Sequence, residues 1–299
     1  MADLAKIPPK GAPLKDFHQA YSTEEDQART NVHYEQPVEF FYTLTGGRWN
    51  VYSCNWWEAE TTDITVSQEA KLDLFAQLLE LKPGQRILDV GCGWGGPLTY
   101  LCKKYGLHGV GLTLSPKQKA AAEARVAQEG ADVQIIERHW RDYEDAEGFD
   151  AVYTDEVIVH FHDLGEFFTK AYALLHDGGR MLNKELHNVR PEYGKINRAT
   201  AIINELYGET GNYRSLGEEL TLANAAGFEV QRIVQFPRAQ YLKTVGSWIE
   251  NMQDHRAELE ELVGKEYFKK FLMYLKVVYR IFTGEKLTID TILSRKVVG

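Results

Sequence analysis

Along the chain the spacing of apolar residues switches repeatedly between a helical and a strand-like period. VSQEAKLDLFAQLLELKPG, from residue 66, carries apolar side chains three and four apart and predicts a helix, and QRILDV, directly after it, predicts a short buried strand. The same rhythm continues with a helix after a run of glycines, a strand at HGVGLTLS, a helix at PKQKAAAEARVAQEGA, and strands at VQIIE and FDAVYT. A helix at DLGEFFTKAYALLHDGG and a strand at RMLNKEL complete it. Strands alternating with helices predict a doubly wound parallel α/β sheet with right-handed crossovers.

The rhythm breaks twice, at residues 188–215, with a helical pattern in ATAIINELYG, and at 239–284, between the last two predicted strands FEVQRIVQF and TIDTILSRKVV. In the second break Phe268, Phe271, Leu272, Leu275, Val278, Tyr279 and Phe282 recur at helical spacing, which predicts core packing and a helical cap over the carboxyl edge of the sheet. Residues 1–65 read as an arm and helical lid, with Pro8, Pro9, Gly11 and Pro13 early and a short helix before residue 32; residues 66–299 read as the main domain with its two insertions.

With 299 residues, 44% of them hydrophobic and 26% charged, the chain has the composition of a soluble globular protein. The start MADLAKIPPKGAPLKD has neither the basic opening nor the apolar run of a secretory signal, and no segment is apolar for the length of a membrane span, so a cytoplasmic protein without integral membrane association is expected. Cys54, Cys92 and Cys102 are too irregularly placed for a disulfide framework or a zinc site, and no metal is expected. A formal charge of -9 with no long Lys/Arg run argues against a nucleic-acid partner.

Candidate chemistry begins at RILDVGCGWGGP, residues 86–97, where glycines lie between a strand and a helix. A backbone that turns tightly there can approach a ligand closely. Asp89 ends the strand. A pyrophosphate on the following helix would be repelled by that carboxylate, whereas S-adenosylmethionine offers an ammonium, a sulfonium and one carboxylate.

D-V-G-C-G-x-G followed by V-G-L-T-L-S resembles the class I S-adenosylmethionine-dependent methyltransferases, in particular the cyclopropane fatty acid synthase family, and the likeness runs from HYEQPVEFFY through YSCNWWE and GLTLSPKQ to QYLKTVGSW. The resemblance implies a seven-stranded Rossmann-like sheet with helical cap insertions. It implies S-adenosylmethionine as cofactor, with Tyr52, Ser53, Gly91, Thr113, Leu114, Gln118 and Trp140 at its site. Asp89 and Gly93 join them from the glycine loop; Gln118 can serve the ribose hydroxyls and Trp140 can stack on adenine.

The family's bicarbonate site uses a cysteine, a glutamate, a histidine and a tyrosine. Cys54 and Tyr241 match it, but Val159 stands in place of the glutamate and Lys184 in place of the histidine. Lipid cyclopropanation is therefore one alternative rather than the leading expectation. GCGWGGP followed by FDAVYTDE is also similar to sterol and isoprenoid-diphosphate methyltransferases, in which an acid follows the fourth strand at the position of Glu156.

These features favour electrophilic C-methylation of an alkene carbon in a small apolar, isoprenoid or prenylated substrate. Glu156 is expected to stabilise the resulting cation and take its proton, with His160 one helical turn on to orient it or relay the proton. Tyr241, Tyr52, Trp56, Trp57, Tyr207 and Tyr213 are aromatic candidates for cation-π contact, and Arg190, Lys195, Arg198 and Arg214 for a diphosphate. N- or O-methylation of a small amine or phenol and a non-catalytic cofactor-binding role are the alternatives, and a homo-oligomer is left open.

Overall fold

The computed structural model describes residues 21–34, 36–193, 206 and 211–297. Among the described residues one sheet of seven strands comprises β1 Arg86–Val90, β2 His108–Thr113, β3 Val133–Glu137, β4 Phe149–Asp155, β5 Leu175–Asn188, β6 Phe228–Phe236 and β7 Leu287–Lys296. Their order is β3-β2-β1-β4-β5-β7-β6; neighbours are parallel from β3 through β5, and β7 is antiparallel to both β5 and β6. β1 and β4 are adjacent but far apart in sequence, so the order reverses between them. Open α/β sheets bind ligands at the carboxyl ends of strands at such a switch point.

The surrounding helices are α1 Thr23–Tyr34, α2 Val38–Thr45, α3 Ile64–Leu79, α4 Gly96–Tyr105, α5 Pro116–Glu129, α6 Leu164–Leu174, α7 Leu216–Ala225, α8 Arg238–Asp254, α9 Arg256–Val263 and α10 Lys265–Thr283. Their starts follow local chemistry. Asp63 accepts from the Thr65 and Val66 amides at 2.7 and 3.3 Å and caps α3. Ser115 accepts from the Gln118 amide at 3.3 Å, and with Pro116 in the first turn it starts α5 where Gln118 turns toward the sheet edge.

Leu72, Phe75, Leu98 and Leu101 pack on one face of the sheet, and Leu164, Phe167, Phe168 and Ala171 on the other. A third core belongs to the cap. There Phe40, Phe41 and Leu44 of α2 meet Val245, Trp248 and Met252 of α8 and Phe268, Phe271 and Leu275 of α10. Most of the expected stripe on α10 is buried, but Tyr279 is exposed: Phe271, Leu275, Val278 and Phe282 already complete the inward face, and Tyr279 falls beside it. The helix expected through HDGG ends at Leu174, because Leu175 is drawn into pairing with Phe149 of β4. The helical pattern in ATAIINELYG lies outside the described residues except for Leu206, which is buried in the cap core.

Candidate active site

The turn after β1 is shaped by two glycines. Gly91 has φ +89°, and a Cβ there would lie 2.7 Å from the Val157 side chain. Gly93 has φ +53° with open space where its Cβ would be, so the backbone is bare toward the cavity it borders. Asp89, at the end of β1, is buried and accepts a 2.6 Å hydrogen bond from the Tyr153 hydroxyl. Burial pushes its carboxyl up to about 7, and that hydroxyl offsets only part of the shift.

Two adjoining cavities meet at this turn, and every residue expected at the cofactor borders one of them. Tyr52, Ser53 and Asp89 line the first; Thr113, Leu114 and Trp140 line the second; Gly91, Gly93, Gln118 and Glu156 are common to both. Gln118 accepts from the Thr113 hydroxyl at 2.7 Å. Trp140 stacks at a tilt against Phe161, and its buried indole N–H has no partner among the described residues.

At the ends of β4 and β5 lies a buried charge cluster. Asp155 and Lys184 are register partners, so their side chains rise on one face, and the Lys184 ammonium donates to Asp155 Oδ1 at 2.9 Å. It also donates to Glu156 Oε1. Asp155 Oδ2 accepts from the Ser53 hydroxyl at 2.6 Å and from the Lys71 ammonium of α3, which reaches Ser53 Oγ at 2.7 Å. The side chains of Lys71 and Lys184 are wholly buried and those of Asp155 and Glu156 are 10% exposed; two cations and two anions balance, as a buried ionic cluster requires. Burial alone would raise the Asp155 carboxyl, but Lys184 and Lys71 hold it below the ordinary aspartate range. Burial pulls Lys184 down, yet Asp155 and Glu156 outweigh it and the ammonium sits above the ordinary lysine range.

Glu156 has φ +58°, a left-handed conformation that costs a non-glycine residue about 1 kcal/mol or more. Its amide donates to the Lys184 carbonyl at 2.7 Å, and its Oε1 accepts from the Cys54 amide at 2.7 Å. Both side-chain bonds fall on Oε1. Oε2 receives none from the described residues.

Several expectations are corrected. No α-helix starts at Glu156; a 3-10 turn spans Ile158–His160, so His160 does not share a helix face with Glu156, although both border the same cavity. Arg214 is buried, and its guanidinium donates to the carbonyls of Phe161 and His162 at 2.7 and 2.9 Å, so it clamps a loop instead of meeting a diphosphate. Arg190 is exposed beside Glu192, while Lys195, Arg198 and Tyr207 lie outside the described residues. Trp57 is turned away to donate to Thr244, and Trp56 packs edge-on against Phe236. Tyr213 packs at the margin of the cap core. Tyr241 stacks on Phe282 at 3.8 Å, and burial raises its phenol, reinforced by the charge of nearby Glu156.

Four residues of the site escape the sequence reading. Lys71 lies in phase with the buried stripe of α3, a legible signal, since an unpaired lysine there would be costly. Glu185 accepts from the Val159 amide at 2.9 Å and the Leu186 amide at 2.8 Å, so a carboxylate reaches the Val159 turn from β5 instead. Burial pushes Glu185 up to about 7, against the pull of the Leu186 amide. His33 and Tyr34 of α1 border the cavities, and His33 stacks on Tyr52 at 5.9 Å and on Phe271 at 6.0 Å. Burial pulls His33 down to about 3, which makes it a neutral wall.

This donor set fits S-adenosylmethionine. A cation beside Asp89 would offset the burial that raises its carboxyl, the bare Gly93 backbone suits an amino-acid tail, and the apolar slot at Leu114 and Trp140, whose indole N–H has no partner among the described residues, suits a purine. Comparison with known proteins agrees. Hydroxymycolate synthase MmaA4 of Mycobacterium tuberculosis is 28% identical over 270 residues, covering 86% of this chain and 88% of that protein. Mycolic acid cyclopropane synthase CmaA1, solved with SAH and CTAB, superposes with a TM-score of 0.84 at 25% identity over 90% of this chain and 98% of that one. The cyclopropane synthase MmaA2 from Mycobacterium tuberculosis gives 0.84 at 23% identity with the same coverages. A family model described as mycolic acid cyclopropane synthetase matches residues 21–292, and the chain belongs to that family of S-adenosylmethionine-dependent methyltransferases.

Proposed function

We propose that the protein methylates an alkene carbon of a small apolar acceptor of isoprenoid or prenylated type, with Glu156 as the group that stabilises and then discharges the cation. The observation that carries this reading is the Glu156 carboxylate itself, anchored through Oε1 and bordering both cavities. When bound, S-adenosylmethionine supplies an electrophilic methyl group. Asp89 and the Gly91 and Gly93 backbone would hold its amino-acid end, Gln118 would serve the ribose, and Leu114 with Trp140 would flank the adenine.

A methylated alkene is a carbocation, which must be shielded from water, stabilised, and relieved of a proton. Aromatic walls at His33, Tyr34 and Tyr52 border the cavities and limit the access of water, and an aromatic ring beside the cation attracts it. Proton loss from such a cation is downhill, so a weak base suffices provided that it is within reach. Lys184 fills the position of the histidine expected in the related synthases, and the carboxylate at the Val159 turn, Glu185, is tied to the Val159 and Leu186 amides, which supports methylation with proton loss over ring closure.

The test is a screen with methyl-labelled S-adenosylmethionine against isoprenoid diphosphates, prenylated phenols, amines and phenols, with Glu156→Gln in parallel. Label on carbon, lost in the variant while cofactor binding persists, is the expected result. Label on nitrogen or oxygen, or a variant as active as the parent, removes this reading.

A further inference from the structure

Lys184 touches Glu156 at two points. Its carbonyl accepts from the Glu156 amide at 2.7 Å, and its ammonium donates to Glu156 Oε1. The first contact holds a backbone in the left-handed region and survives any substitution of the lysine side chain; the second fixes the carboxylate. Asp155 fixes the ammonium in turn, and its other oxygen is occupied by Lys71 and Ser53. Neither lysine side chain is exposed.

We infer that Lys184 is a positioning residue, which by fixing Oε1 turns Oε2 of Glu156 toward the acceptor and so decides which proton of the cation is removed. This inference rests on the reading of Glu156 given above. In the step concerned, a C–H bond next to the cationic carbon breaks, its electron pair becomes the new double bond, and the proton passes to Oε2. Without the ammonium, Oε1 keeps only the Cys54 amide, and a carboxylate held by one hydrogen bond can swing to protons on more than one neighbouring carbon while water reaches the longer-lived cation. Small losses of alignment are costly in such sites.

A purely structural role predicts something else. Removing Lys184 leaves the buried cluster one cation short, and restoring charge balance would then restore function. Three variants separate the two: Lys184→Met; Lys184→Met with Asp155→Asn, which returns the cluster to neutrality; and Lys184→Arg. Each is assayed as the full chain with labelled S-adenosylmethionine and the isoprenoid diphosphates and prenylated phenols of the screen, beside Glu156→Gln. Cofactor binding and Tm are recorded throughout.

Both Met variants are expected to lose about 50-fold or more in kcat with acceptor KM changed less than about 3-fold, and to give mixed alkene isomers and alcohol in place of one product. Lys184→Arg should recover much of the single-product pattern. A double variant that regains parental kcat and one product overturns the inference while leaving Glu156 in its role. If Lys184→Met does not fold, the double variant decides alone, because its charges balance. A Glu156→Gln protein as active as the parent defeats the reading of Glu156 and the inference together.

Discussion

At the scale of single residues, the buried carboxylate at Asp89 carries the clearest pH signature. Its carboxyl lies near 7 before any ligand arrives, and only the ionised form attracts an ammonium. Cofactor affinity should therefore rise with pH through this region, by about 10-fold between pH 6 and pH 8. Asp89→Asn should bind weakly and without that slope; titration calorimetry at both pH values checks it. Asp89, Gly91, Gln118 and Glu156 are all legible from the sequence, because each lies at a fixed offset from a strand end that the apolar pattern marks. The partner of Glu156 from the covering loop is not. Cys54 is 102 positions away, and only the completed sheet and that loop bring the two together.

At the scale of elements, α1 borders the cavity at Leu114 and Trp140 but buries little besides His33. It docks through polar contacts: Gln27 donates to the Leu114 carbonyl at 3.2 Å and to Glu137 at 2.8 Å, and Asp26 lies 3.3 Å from the ring of His139. Gln27→Ala combined with Asp26→Ala should speed cofactor release by about 10-fold, read by stopped-flow fluorescence, with Tm within about 2 °C of the parent, since exposed polar contacts contribute little to global stability. The β1–α4 turn behaves oppositely. Gly91→Ala combines a left-handed backbone with a 2.7 Å clash on Val157, and it should lower Tm by several degrees and abolish cofactor binding. The sequence shows the strands and helices of the sheet well. It misplaces the segment after Glu156, where an apolar run reads as the start of a helix, whereas the φ of +58° and the Glu185 carboxylate on the Val159 amide hold a 3-10 turn.

At the scale of the whole molecule, β5, β7 and α7 are tied by a buried histidine. His187 lies 2.6 Å from Glu219 and 3.1 Å from Asp290. Burial draws its imidazolium down, but the two carboxylates prevail and raise it to about 10. A folded-state value above the unfolded one stabilises fully below the unfolded value, near 6.5, and the contribution is lost as pH climbs toward 10. Tm should fall between pH 7 and pH 10, and Asp290→Asn should shrink that fall by calorimetry. Such a long-range tie is invisible to periodicity, whereas the cap is announced by the aromatic stripe on α10, though the stripe does not say that α2 and α8 are what it packs against. The turn at residue 156 reaches beyond chemistry to ancestry. Its backbone is one that glycine adopts without strain, and a glycine codon can become a glutamate codon by a change at the middle base alone. The acid could thus have been acquired in a single step with no loop rebuilt to receive it, provided that the buried lysine it pairs with came with it or after it.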